Sequence, residues 1–418
     1  MKILWITNIM LPPICKEMNL TVPVVGGWMF SSAVNLLKNS DNIKLAIATT
    51  YSGNTLIKKK IESITYYSLP IKGDNTYYHK SLESLWQQVN DDFAPDLVHL
   101  HGTEFAHGLA FQRACPNVKT VVSIQGMVSV CARYYIAGIT SQELKNLYTI
   151  RDVIKRTSIL QGQRDLELRG EIEKEILRNT CHIIGRTSWD KAQTWAINPN
   201  AQYHFCNETL RTPFYKNKWK YEKCEPHSIF ISQAGYPIKG LHQLLKAMPL
   251  ILREFPDTRV YVAGANIIKT DTLSAKLRLS SYGKYLKSII EKNHLKSHVV
   301  FTGPLNEEEM CQQYLKANVF VCPSSIENSP NSLGEAQLLG MPCIASYVGG
   351  TPDMMRGAEE WMYRFEEIEM LADKICKLFR LRSFSQFTKN ESGIRHDKHT
   401  NSLQLFNIYK TINNDYHR

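Results

Sequence analysis

The stretch Val319-Phe320-Val321-Cys322-Pro323-Ser324-Ser325-Ile326-Glu327-Asn328-Ser329-Pro330-Asn331-Ser332-Leu333-Gly334-Glu335-Ala336 carries the fold in one reading. A short apolar run closed by proline reads as a strand buried on both faces. A polar turn follows, and Ser332 opens a segment of helical period. Strand, turn and helix in that order make half of a parallel α/β unit, whose ligands gather beyond the carboxyl ends of the strands. The helix start would aim the amides of Asn331, Ser332 and Leu333 outward, a site for an anion or a hydroxyl. Glu327 and Glu335 lie eight positions apart across this join, and each carboxylate can accept two hydrogen bonds from a vicinal diol. A plainer reading stays open for each. Ser332-x-x-Glu335 is also a capping box, and Glu327 is also an ordinary loop carboxylate.

The same rhythm runs outward from this stretch. Apolar runs at 2–7, 44–50, 64–70, 96–102, 120–125 and 182–187 alternate with helical periods that include 28–38 and 104–113. A second series has runs at 229–233, 259–264, 298–303, 319–324 and 342–346, with helical segments at 240–254, 285–293, 306–317 and 332–339. Two such series predict two doubly wound, Rossmann-like parallel-sheet domains. The expected division is a first domain over 1–206, a linker over 207–228 and a second domain over 229–388. Residues 389–418 read as a polar tract and a terminal amphipathic helix that packs back on the first domain. The pattern over 147–177 reads as a helix packed on a sheet or domain edge, with a membrane-surface helix as its alternative.

Fifty Lys and Arg against 39 Asp and Glu give a net charge of +11 over 418 residues. That balance suits an anionic partner: nucleic acid, a membrane surface or a phosphorylated substrate. The basic residues are spread along the chain, without an RNA-binding aromatic signature or zinc-finger spacing, so nucleic acid is not expected. The ten cysteines never form a C-x-x-C pair; they read as buried thiols in a reducing, cytoplasmic compartment. No run of about 18 apolar residues is present to span a membrane. Residues 1–8 read as a first buried strand rather than a leader. Histidine and cysteine show no ligand spacing and no Asp-x-Asp triplet occurs, so neither metal nor cofactor is expected.

Glu327-x7-Glu335, followed by Gly340-Met341-Pro342 and Gly349-Gly350-Thr351-Pro352-Asp353, resembles the donor-binding stretch of retaining glycosyltransferases of family 4, with the GT-B architecture. The likeness extends to Lys239-Gly240-Leu241, Val260–Gly264, Gly26-Gly27 and Pro95–Gly102. It implies two domains facing a cleft and a nucleotide-sugar donor held mainly by the second. Glu327 would then hold the sugar hydroxyls and Glu335 the nucleotide ribose. Lys239 would neutralise the diphosphate as charge builds on it, and Gly26 and Gly27 would let backbone approach the phosphates. His101, ending a strand at the carboxyl edge, would face the acceptor, whereas His99 would be structural.

Two positions depart from the family pattern. Ala234 stands where an arginine is usual, five residues before Lys239, and Gln125 stands where a histidine is usual. Arg186 or Arg211 is expected to replace the missing cation, and Gln125 to contact a sugar hydroxyl. In a front-face retaining mechanism the leaving phosphate oxygen takes the acceptor proton, so no titrating base is required. The expected activity is transfer of a sugar from a nucleotide sugar to a hydroxyl of a glycan or lipid-linked glycan. It would serve surface polysaccharide or glycoconjugate assembly in the cytoplasm, with the inner membrane face as a peripheral partner. The alternatives are a binding protein of the same fold without catalysis, motivated by Ala234 and Gln125, and a dinucleotide-dependent oxidoreductase. The latter should carry G-x-G-x-x-G after its first strand, which this chain lacks.

Overall fold

A computed structural model describes residues 1–414 except 24–25, 41, 74 and 385–394. The chain divides into two compact units, Met1–Val130 with Asp165–Leu210 and Arg395–Arg418, and Cys131–Arg164 with Arg211–Ile394.

The first unit holds strands β1 (Lys2–Thr7), β2 (Lys44–Tyr51), β3 (Ile57–Ile61), β4 (Ile64–Pro70), β5 (Leu97–His101), β6 (Thr120–Ser123), β7 (His182–Gly185) and β8 (Gln202–Phe205). They form one sheet in the order β3-β4-β2-β1-β5-β6-β7-β8, parallel except for the β3–β4 edge pair. The cluster Lys58-Lys59-Lys60 lies on that edge strand, where charge blocks pairing with another chain. Along β1 the side chains alternate between two cores. Leu4 and Ile6 join the cluster of Trp86 and Phe111. Ile3 and Trp5 join Leu405, Ile408, Tyr409 and Ile412 of the terminal helix Lys398–Asn414. Trp5 Nε1–H donates to Tyr409 Oη at 3.0 Å, which satisfies the buried indole. β1 lies between β2 and β5, so the strand order reverses at β1/β5, with Thr7 beside His101.

The second unit holds β9 (Ser228–Ile231), β10 (Arg259–Val262), β11 (Val299–Phe301), β12 (Val319–Cys322), β13 (Cys343–Ser346) and β14 (Met362–Tyr363). Their order is β11-β10-β9-β12-β13-β14, and every pair is parallel. β9 and β12 are neighbours whose connections leave in opposite directions, so the reversal point, where open α/β sheets bind ligands, falls at the carboxyl ends of these two strands.

The unit boundaries differ from the sequence expectation. Residues 131–164, expected in the first domain, pack within the second unit. His242 Nε2 lies 2.8 Å from the Ala137 carbonyl, Ser325 Oγ donates to Tyr134 O at 2.9 Å, and Tyr285 Oη donates to Glu143 at 2.8 Å. The stretch read as a linker over 207–228 is not loose either. From Arg211 onward it belongs to the second unit, with Phe214 and Trp219 buried and Trp219 Nε1–H bonded to Ala317 O at 2.8 Å. Its aromatic residues are anchors. The pattern over 147–177 divides into helices Ile150–Lys155 and Ile159–Arg178, because Arg156 adopts a left-handed φ of 52° and ends the first of them. Residues 389–394 of the expected polar tract lie outside the described residues.

Candidate functional site

In the second unit the turns that leave β9 and β12 meet. After β9 the chain makes a 3-10 turn, Pro237–Lys239, and reverses at Gly240, whose φ is +70°. A Cβ there would lie 1.6 Å from the Pro323 carbonyl oxygen, so only glycine admits this approach. The Ser325 amide donates to Ile238 O at 2.8 Å and ties the two turns together. Lys239 Nζ thereby comes to 2.6 Å from Glu327 Oε1, and Ser324 Oγ donates to the same oxygen at 2.8 Å. Gly349 and Gly350 press on this loop from behind. The Gly350 amide donates to Glu327 O at 3.0 Å, and a Cβ at Gly349, with φ +51°, would lie 1.9 Å from that carbonyl.

The Lys239–Glu327 pair keeps a path to solvent, with side chains 19% and 12% exposed. Burial works against the ammonium, but the Glu327 charge, the nearby Tyr236 and the hydrogen bond together outweigh it. Lys239 is held above its ordinary range and stays charged.

Glu335 lies one turn inside the helix Asn331–Leu339, with its side chain only 3% exposed. Both its oxygens are claimed by Arg211, at 2.6 Å from Nε and from Nη2. Burial raises the carboxyl and the guanidinium opposes that rise. The capping-box reading of Ser332 and Glu335 is not realised: Pro330 is the N-cap, and no side chain caps the helix. Leu333 also departs from expectation, because its amide bonds Pro330 O at 3.0 Å rather than facing outward. Asn331 and Ser332 remain half-buried at the helix start. Arg211, expected as a spare cation, is committed to Glu335.

The remaining predicted residues belong to the first unit. Gly26 caps the helix Gly27–Lys38, and its left-handed φ of +84° already favours glycine there. Arg186 is no free cation. Its guanidinium pairs with Glu208 at 2.7 Å, with side chains 6% and 11% exposed, and donates to Gln125 O at 2.8 Å. Gln125 Nε2 in turn donates to Glu208 at 3.0 Å. His99 is structural: its ring nitrogens meet Tyr409 Oη and Ser123 Oγ, each at 2.5 Å. His101 is buried against Trp5 and His99, neither ring nitrogen finds a partner among the described residues, and burial pulls it down to about 3. It lines a cavity of about 30 Å³ with Trp28, Gln125, Arg186 and Glu208, room for about one water.

Sequence reasoning missed Ser324, which orients Glu327, and Glu104 just beyond β5. Glu104 accepts from Asn8 Nδ2 at 2.6 Å and from the Gly126 amide at 3.2 Å. Burial, with the Glu173 charge beside it, pushes Glu104 up to about 7 against the Gly126 amide and Arg169. Its position one turn past a strand end was the available signal. Among the described residues no three His, Cys, Asp or Glu side chains converge as metal ligands would. No helix among them is long and apolar enough to cross a membrane.

Residues 213–392 match the family described as glycosyl transferases group 1. Spore coat protein SA of Bacillus subtilis (strain 168) is 28% identical over 144 residues, 34% of this chain and 36% of that protein. YtcC of the same strain, named as a glycosyltransferase, is 30% identical over 289 residues, 67% of this chain and 63% of that protein. The matched chain thus spans about a third of the first relative's length and under two thirds of the second's. In structure the chain is similar to sucrose-phosphate synthase from Thermosynechococcus elongatus, with a TM-score of 0.67, 15% identity and 98% of each chain covered. It is also similar to Anabaena Alr3699/HepE, solved with UDP and glucose, with a TM-score of 0.66, 13% identity and 98% and 100% covered. At those identities the likeness is one of fold, and the fold is GT-B.

Proposed function

We propose that this chain, a GT-B glycosyltransferase whose residues 213–392 are a glycosyl transferases group 1 domain, moves a hexose-type unit from a nucleotide sugar to a hydroxyl of a glycan or lipid-linked glycan, with retention at the anomeric carbon. The observation that carries this reading is the contact of Lys239 with Glu327, at 2.6 Å between the ends of β9 and β12. Each side chain satisfies the other. A bound donor supplies better partners for both, its diphosphate for the ammonium and its sugar hydroxyls for the carboxylate. As the glycosidic bond breaks, negative charge grows on the leaving phosphate, and a cation already fixed beside it stabilises that state without reorganising. The leaving oxygen then takes the acceptor's proton, and the protein contributes position rather than a titrating base. Glu335, with Arg211 holding it, presents the second carboxylate to the ribose.

The reading is metal-independent, because Lys239 and the uncapped start of the helix Asn331–Leu339 together supply the positive charge a diphosphate needs. Work in the cytoplasm agrees with the cysteines, which are all free. Assembly of a surface polysaccharide or glycoconjugate is the role proposed for the product. The experiment is incubation with UDP-, GDP- and ADP-hexoses and mixed glycan acceptors, with the anomeric configuration of the product read by NMR. Net retention supports the proposal and inversion defeats it.

One observation favours a second reading, a binding protein without turnover. Arg186 is tied to Glu208 and Arg211 to Glu335, so neither joins Lys239 to fill the place left by Ala234. A protein of that kind would bind a nucleotide sugar and release no free nucleotide.

A further inference from the structure

The segment that enters the second unit from the sequence of the first carries an unusual surface. Tyr148, Ile150, Val153 and Ile154 are 51%, 62%, 73% and 75% exposed. The short helix Leu273–Arg278, which touches the helix Ile150–Lys155, adds Leu273 at 75% and Leu277 at 47%. These side chains are held outward by polar anchors beneath them. Asp152 is buried, accepting from the Thr149 amide at 3.0 Å and from Ser281 Oγ, and Lys284 Nζ donates to Asn146 O at 2.7 Å. A helix turn that fixes its one acid inward and three aliphatic side chains outward is inverted relative to an ordinary surface turn.

Charge identifies the occupant. Residues 145–156 and 269–278 contain Lys145, Arg151, Lys155, Arg156, Lys269, Lys276 and Arg278, against Asp152, which is buried, and Asp271, which is paired with Lys269 at 3.3 Å. Four of these seven cations are lysines, the basic residue that protein interfaces deplete. The surface matches a bilayer of anionic lipids, whose acyl boundary takes the aliphatics while its headgroups take the cations. We propose that the face formed by the helices Ile150–Lys155 and Leu273–Arg278 docks the protein on an anionic membrane surface. The docking stands apart from the donor site, since none of these residues belongs to it.

The test is co-sedimentation of the full chain with vesicles of phosphatidylcholine alone and of phosphatidylcholine and phosphatidylglycerol in equal parts. Wild type is expected to sediment with the anionic vesicles, not with the neutral ones, and to be released by high salt. Lys155→Glu with Lys276→Glu and Arg278→Glu should weaken binding by roughly fivefold or more per charge. Val153→Ser with Ile154→Ser and Leu273→Ser should weaken it about tenfold or more. Both variants change exposed positions and should keep the wild-type melting temperature, so lost binding reports the surface and not the fold. Equal sedimentation with both vesicle types, or binding by the serine variant at the wild-type level, overturns the proposal. A wild-type dimer that the serine substitutions convert to monomer, without vesicle binding, also overturns it and makes the face a contact between copies.

Discussion

Lys239 and Glu327 sit on turns that leave two different strands, 88 positions apart in sequence, and still hold a 2.6 Å ion pair. The geometry is over-determined: Ser325 N–H to Ile238 O joins the turns, Ser324 fixes the carboxylate, and Gly349 admits the backbone behind it. A pair held this firmly yet still open to solvent is preorganised for a third party that carries both a negative charge and hydroxyls.

The backing glycine is therefore as consequential as the carboxylate. Gly349→Ala sets a Cβ against Glu327 O in a left-handed backbone conformation, costing about 1–2 kcal/mol for the conformation alone. The loop must shift to relieve the contact. Donor turnover should fall at least about tenfold, with a lowered melting temperature measured alongside. Unchanged kinetics would mean that the loop's position is immaterial.

Arg211 neutralises a nearly sealed carboxylate. Arg211→Ala leaves Glu335 buried and unpaired, and should cost about 3–5 kcal/mol in urea unfolding at neutral pH. The raised Glu335 carboxyl gives the sign. A group raised in the folded state contributes most below its ordinary range and loses that contribution as pH rises. Without the opposing guanidinium Glu335 rises further, so the deficit should shrink as pH is lowered toward 5. A deficit independent of pH would show that packing, not charge, is what Arg211 supplies.

Glu104 provides a second pH signature, in the first unit. Its carboxyl is pushed up to about 7 in the folded protein, above the ordinary carboxylate value. Its stabilising contribution is complete below the ordinary range and is lost as pH rises through about 7. Glu104→Gln should therefore be more stable than wild type at pH 8, on the order of 2 kcal/mol once solvent screening is allowed for. The two should converge near pH 4. Urea titrations at the two pH values decide this.

Metal removal gives the simplest result. If Lys239 and the helix start neutralise the diphosphate, turnover in EDTA should match turnover in magnesium to within about twofold. Loss of activity in EDTA, restored by the cation, would assign the diphosphate to a metal.

The two parallel sheets were legible because buried parallel strands are written as short continuous apolar runs, such as Val319–Cys322. β8 was not, since Gln202–Phe205 has no buried residue and no apolar run. The edge strand Ile57–Ile61 was hidden by its lysines. Lys239 and Glu327 could be picked out because Lys239-Gly240-Leu241 and Glu327-x7-Glu335 resemble a known donor-binding stretch. The partnership of Arg211 with Glu335, 124 positions away, has no local signature. Residues 131–164 were placed with the wrong unit for the same reason: single polar contacts, such as Asp152 to Ser281, leave no periodicity to read.

The central claim is most directly tested by nucleotide release from UDP-, GDP- and ADP-hexoses, measured for wild type, Lys239→Ala and Glu327→Gln. Wild type should turn over at least one donor, with both variants slower by roughly a hundredfold or more. Release from the best donor at the wild-type rate by Lys239→Ala, or no release by wild type from any of them, would contradict the account.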